Sequence, residues 1–263
     1  MSAAAAGDAI VLVERHGAIA VITLNRPERR NGITVELCRA FYRAVQDVAA
    51  SDARVVVLRG AGNDFCVGAD ILGGGGGGDG DGSPVTLERL GRIHHAATVL
   101  HTMPQVTIAA IDGGCAGAGL GWATACDFRF AAPEARFNTA FLGVGVSSDM
   151  GPPWFLTRIV GGARAREMLF FPAKLTAGQA LDIGLVTRLF PRAALHDEVL
   201  TLAEELAARE PFALRMMKAN VLSAEELAIG DFIEVETARQ IHTTNRPDLA
   251  ARMAEALGKS KGA

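Results

Sequence analysis

The first half of the chain is a series of short apolar blocks, whereas most of the second half repeats its apolar positions every three to four residues. Residues 10–15 and 18–24 are β-branched runs split by His16-Gly17, which predicts a hairpin. A polar loop from Asn25 to Gly32 follows. Thr34 can then cap a helix to about Ala50, with Leu37, Phe41, Ala44, Val45 and Val48 on one face. Residues 54–59 (RVVVLR) form a continuous apolar run, the pattern of a strand covered on both faces, and 106–111 is another. One helix is expected over 84–101 and a second, entered through glycines, over 117–126, with a strand at 128–131. Helices follow at 153–159, 163–169 and 177–183, then at 195–209, 212–222, 223–242 and 247–257. Strands mixed with helices first, and helices alone afterwards, predict an α/β core over 1–194 and a helical C-terminal region over 195–263.

Composition narrows this picture. A chain of 263 residues suffices for one large domain or two small ones, and 49% hydrophobic against 21% charged residues excludes global disorder. From Gly73 to Gly82 the chain is glycine interrupted only by Asp79 and Asp81, a stretch expected to be a mobile loop. Its match to GxGxxG is trivial, because no strand immediately precedes it. A net charge of −3 and a pI near 6.1 leave no basic footprint, so nucleic acid is excluded as the expected partner. An anionic ligand must be held by a few local Arg or Lys side chains. The four cysteines, Cys38, Cys66, Cys115 and Cys126, show no CxxC pairing and read as small buried residues of a reducing cytoplasm. Residues 1–7 lack the basic and apolar regions of a secretory signal. Residues 106–126 hold one charge, Asp112, but five glycines break any simple membrane-spanning helix.

Two glycine-containing segments hold the candidate chemistry. Phe65-Cys66-Val67-Gly68-Ala69-Asp70-Ile71 follows a strand and a turn, and Asp112-Gly113-Gly114-Cys115-Ala116-Gly117-Ala118-Gly119-Leu120-Gly121 lies between a buried strand and a helix. Glycine lets a ligand approach the main chain, and free N–H groups at a helix start favour a developing oxyanion. Taken alone, either segment reads first as a tight packing turn.

Taken in order, ITLNRPERRNGI at 22–33, FCVGADI at 65–71, the AAIDG–GAG–CD pattern ending at Asp127, RIVGGARAREMLF at 158–170 and LTAGQALDIGLV at 175–186 resemble the crotonase (enoyl-CoA hydratase/isomerase) superfamily. The resemblance spans nearly the whole chain. It implies an α/β fold, a crotonase-like spiral of ββα units, assembled as a homotrimer or a dimer of trimers through a helical C-terminal region. It also implies an acyl-CoA thioester substrate, with no cofactor beyond the coenzyme A of that substrate, no metal, no nucleic acid and no membrane. Backbone amides of Ala69 and Ala118 would form the oxyanion hole. Arg30 would lie near the nucleotide phosphates, although a solvated loop charge is an equal reading. Gly68, Asp70 and Ile71 would line the adenine side, with Gly117 beside the thioester.

The acid–base positions depart from the hydratases. Where two glutamates activate water in that branch, this chain has Gly121 and Phe141, and neither moves a proton. The remaining carboxylate is Asp149, eight residues after Phe141, where isomerases acting on enoyl- or dienoyl-CoA often have an acid. Asp149 could shuttle a proton between two carbons, or simply cap the helix before Pro152. The expected activity is therefore an enoyl-CoA isomerase-like double-bond shift. The alternatives are hydration with a non-standard base, aryl- or acyl-CoA dehalogenation, thioester hydrolysis, and a catalytically silent acyl-CoA-binding protein. Phe141 and Trp154 would shape the acyl pocket. His94 is a possible auxiliary group, sharing a helix face with His101, and no HExxH or cysteine partner supports a metal.

Overall fold

The computed structural model describes residues 9–71 and 86–260; the glycine stretch 73–82 and residues 1–7 lie outside them. In chain order, β1 (Val11–His16) and β2 (Ile19–Leu24) pair as the antiparallel hairpin, and α1 (Val35–Ala49) follows. Thr34 caps α1, its hydroxyl accepting from Leu37 N at 3.2 Å. Next come β3 (Val55–Gly60), α2 (Leu87–Leu90), α3 (Ala96–Thr102), β4 (Val106–Ile111), β5 (Gly114–Ala116) and α4 (Ala118–Ala125). Then follow β6 (Phe128–Ala131), β7 (Arg136–Asn138), α5 (Pro152–Ile159), α6 (Gly162–Phe170), β8 (Leu175–Thr176), α7 (Ala177–Asp182), β9 (Arg188–Leu189) and α8 (Leu195–Ala207).

The main sheet has the order β1-β2-β3-β4-β6-β9, parallel from β2 onward. Alternation along its strands sends side chains to two helical layers. Ile22, Val56, Leu58, Ala109 and Ile111 meet Leu37, Phe41 and Val45 of α1 together with α4. Ile19, Val21, Val55, Val57, Ile108 and Phe130 meet Leu195, Val199 and Ala203 of α8. Leu195 and Val199 are fully buried there, each contributing about 1.5–3 kcal/mol. A smaller sheet, β5-β7-β8, stands apart.

The chain divides into two compact units, Met1–Ala208 and Arg209–Ala263, a division beyond the expected 194/195 boundary because α8 covers the sheet. The second unit contains α9 (Pro211–Ala224), α10 (Ile229–Thr244) and α11 (Leu249–Ser260). Within it, Arg239 donates to Ala219 O, Asn220 Oδ1 and Ser223 Oγ, tying α10 to α9.

Two helix expectations need correction. The helix expected over 84–101 breaks after α2, where Gly91 takes φ +58°, and resumes as a 3-10 turn at Ile93–His95 before α3. The helix expected over 223–242 does not start at 223: α9 runs to Ala224 and α10 begins at Ile229. No described helix is long and apolar enough to cross a membrane.

Candidate active site

The two glycine segments meet side by side. Cys66 and Cys115 pair as a parallel bridge: Cys66 N donates to Gly114 O at 3.0 Å, and Ala116 N donates to Cys66 O at 2.9 Å. The same offset brings Gly68 opposite Gly117, where a methyl built on Gly117 would stand 3.6 Å from Gly68 Cα. Gly117 has φ +52° and ψ −127°, a conformation that essentially only glycine adopts without strain. One residue beyond each glycine stand Ala69 and Ala118.

The amides of both alanines are left open by their surroundings. On the Ala69 side, Ile33 N donates to Gly68 O at 2.8 Å and Asp70 N to Ile33 O at 2.9 Å. A parallel pairing of this kind uses the groups flanking Ala69 and turns its own N–H away from Ile33. Ala118 is the first residue of α4, whose first helical bond runs from Gly121 N to Gly117 O. Among the described residues, no hydrogen bond engages either amide. Two free donors beside touching glycines can polarise a carbonyl oxygen, and the start of α4 adds partial positive charge.

α4 is buried over its whole length, and Trp122 anchors it against Phe41 at a ring separation of 4.2 Å. It seats on the Cys66 segment through glycine: a methyl on Gly119 would fall 2.5 Å from Cys66 O and 2.7 Å from Cys66 Cβ. One turn after Ala118, a methyl on Gly121 would fall 2.8 Å from both Cβ and O of Met150. The space for a side chain at 121 is thus filled by the neighbouring main chain. Phe141 is buried, its ring edge 3.9 Å from the methyl position of Gly117. Leu142, Val144 and Val146 follow it as exposed apolar residues.

Asp149 precedes Met150, which holds φ +53°. The surrounding protein raises the Asp149 carboxyl above its ordinary value, a push opposed by a hydrogen bond from its own N–H. Its surface is still more than a third open to solvent. No described cation forms a salt bridge with it. Burial, with a smaller contribution from the charge of Asp149, pushes the Cys38 and Cys66 thiols up to about 12. It does not cap α5: Gly151 occupies that position, without a side-chain cap. Ser148 Oγ is buried with no partner among the described residues.

The other expected residues are placed as follows. Arg30 Nε and Nη2 bind the Asp64 carboxylate at 2.8 and 2.9 Å, and Asp64 Oδ1 also accepts from Gly114 N at 2.6 Å. This pairing holds Asp64 below the usual carboxylate range, yet the Arg30 side chain stays 63% exposed. Asp70 turns inward, 7% exposed, and pairs with Arg26 at 3.0 Å and Arg29 at 2.5 Å. Only its main chain can serve a ligand, and the Arg26 and Arg29 clamp was not foreseen. Ile71 is exposed. Trp154 packs edge-on against His101 (5.2 Å) and Phe155 (5.0 Å), with the Arg158 guanidinium 3.7 Å above its ring. His94 lies against His95 with ring centroids 4.3 Å apart and tilted planes, and has a buried Nδ1 without a partner among the described residues; the 3-10 turn separates it from the His101 face. A cleft of about 310 Å³ lies elsewhere, lined by Arg164, Glu167, Met168, Phe171, Leu175 and Asp182 among others, and none of the expected site residues lines it. Chemistry, not cavity size, marks the site. Among the described residues, no cluster of His, Cys, Asp or Glu could hold a metal ion.

Comparison with known proteins identifies the family. The family model for enoyl-CoA hydratase/isomerase matches residues 14–257. YngF of Bacillus subtilis strain 168, named among enoyl-CoA hydratases/isomerases, is 32% identical over 238 residues, covering 89% of this chain and 90% of its own. The human mitochondrial Delta(3,5)-Delta(2,4)-dienoyl-CoA isomerase is 29% identical, covering 87% of this chain and 73% of its own. A solved structure from Thermobifida fusca YX, described as an enoyl-CoA hydratase in complex with acetoacetyl-CoA, superposes with a TM-score of 0.81. It is 28% identical, covering 94% of this chain and 95% of its own.

Proposed function

Since the chain belongs to the enoyl-CoA hydratase/isomerase family and has the crotonase fold, we propose that it is an enoyl-CoA isomerase-like enzyme acting on an acyl-CoA thioester. The thioester oxygen accepts from the amides of Ala69 and Ala118, which acidifies C2 and stabilises the enolate. Asp149 removes the C2 proton of a 3-enoyl thioester, the C3=C4 bond moves to C2=C3, and Asp149 returns the proton at C4. Proton and electron pair are conserved, so the reading needs no redox cofactor and no metal. A carboxyl raised above its ordinary value suits both halves of the shuttle.

One observation supports the reading above the others. Asp149 forms no salt bridge among the described residues and adjoins Met150, which packs against Gly121 one turn after the Ala118 amide, whereas both positions that would activate water have no acid: Gly121 is walled by Met150, and Phe141 is a buried ring. In this account Phe141 and Trp154 border the acyl chain. Arg30 meets the nucleotide phosphates, while Gly68, Gly117, Ile71 and the Asp70 main chain line the path between. His94 takes no step. Assembly as a homotrimer or dimer of trimers is supported by the exposed apolar residues Met217, Val221, Ile229, Ile233 and Ile241 of the second unit. Four free, buried thiols favour a cytoplasmic setting.

Turnover of a 3-enoyl-CoA and a 3,5-dienoyl-CoA by parent and Asp149→Asn tests the proposal. Conversion by the parent and loss of it in Asp149→Asn are expected. Equal turnover by the two proteins removes Asp149 from the mechanism. Hydrated product, free coenzyme A or released halide from a wider thioester panel assigns a different reaction.

A further inference from the structure

We propose that Gly121 is a positioning residue for Asp149, an inference that rests on the isomerase reading above. Gly121 is buried on α4, three residues after the Ala118 donor. Met150 lies directly against it: a methyl at 121 would stand 2.8 Å from Met150 Cβ, 2.8 Å from Met150 O and 3.2 Å from Met150 C. Two of these three atoms are main chain, so no rotamer change can clear them. The segment is also set in its path. Met150 and Gly151 both have positive φ, +53° and +87°, and a methyl on Gly151 would fall 2.9 Å from the Phe155 ring. Pro152 then starts α5, whose Leu156 is fully buried. With the segment held from behind by α5, a methyl at 121 displaces residues 148–150, and Asp149 moves with them.

The absent side chain at 121 therefore has a positive role. One helix presents the amide that holds the thioester oxygen and, one turn on, a bare surface against which the main chain next to the proton carrier docks. The spacing between anion trap and acid is set by direct contact.

The test compares Gly121→Ala with the parent, Asp149→Asn and Gly143→Ala on a 3-enoyl-CoA. Gly143 lies in the same loop, and a methyl there meets nothing within 4 Å, so Gly143→Ala is expected to match the parent. Gly121→Ala is expected to lose about 100-fold in kcat, the scale of an ångström-sized displacement of a catalytic group. Its KM should change by less than about threefold, since the ester-binding amides stay in place. Its acidic pH limb should move down toward the ordinary carboxylate value as Asp149 gains solvent. Adding Met150→Gly, which removes the Cβ contact, should restore part of the rate. Parental kcat and pH limb in a folded Gly121→Ala overturn the inference. So does a loss of rate that leaves the limb unmoved and that Met150→Gly does not relieve. If Asp149→Asn keeps parental turnover, the isomerase reading itself fails; if Asp149→Asn is inactive and Gly121→Ala is not, only the positioning role fails.

Discussion

Gly119→Ala should open the oxyanion hole without touching either donor. Gly119 sits on α4 over the extended segment 65–70 that contains Ala69, and its methyl would meet Cys66 O at 2.5 Å, Cys66 Cβ at 2.7 Å and Cys66 Sγ at 2.7 Å. Ordinary carbon contacts lie near 3.5–4 Å, so helix and segment must separate by about 1 Å. The core tolerates such overpacking at a cost of about 1–3 kcal/mol, so the variant should fold with a lowered Tm. Catalysis is less tolerant. An amide about 1 Å out of line no longer follows the developing oxyanion, and losing one such donor costs about 3–4 kcal/mol, or 10²–10³-fold in kcat. Steady-state kinetics on a 3-enoyl-CoA, with circular dichroism and a thermal melt on the same preparation, provide the comparison. A folded Gly119→Ala with parental kcat would show that the close seating of α4 on the Cys66 segment does not set the trap.

Asp149→Asn should raise Tm at neutral pH but give no gain below 3.8: a carboxyl raised in the folded state binds its proton more tightly there, so its effect on stability turns unfavourable as pH rises through the shifted value. In the parent, kcat/KM should fall as pH drops through that same raised value, because the proton acceptor is then lost. Asp70→Asn weakens the pairs that the buried Asp70 makes with Arg26 and Arg29 and should lower the midpoint of a denaturant titration; an unchanged midpoint would refute the clamp. Thr34→Ala removes the α1 cap and should cost about 1 kcal/mol in the same titration with kcat unaltered, whereas no loss would mean that the bond to Leu37 N is idle.

What could be read from the chain follows from how much periodicity each element has. β3, β4 and α1 were legible because a run buried on both faces, or a helix with Leu37, Phe41, Val45 and Val48 aligned, leaves a long unambiguous pattern. β5, β7, β8 and β9 are two or three residues long and leave none. Gly91 looked like any tolerated helix glycine, yet its left-handed φ splits the segment before His94. At the site, the glycine pairs announced close main-chain approach, and Gly68 and Gly117 do lie in contact. The inward turn of Asp70 was hidden because its partners, Arg26 and Arg29, lie more than forty residues away in a polar loop. Gly121 read as a missing acid. That Met150 fills its place depends on a tertiary contact twenty-nine residues distant, which no local pattern encodes.

A crystal structure with a non-isomerisable acyl-CoA bound measures the whole account at once. The expected result places the thioester oxygen about 2.7–3.1 Å from the nitrogens of both Ala69 and Ala118, with the Asp149 carboxylate facing C2 to C4. A thioester oxygen bound elsewhere, or an Asp149 turned away from the acyl chain, contradicts it.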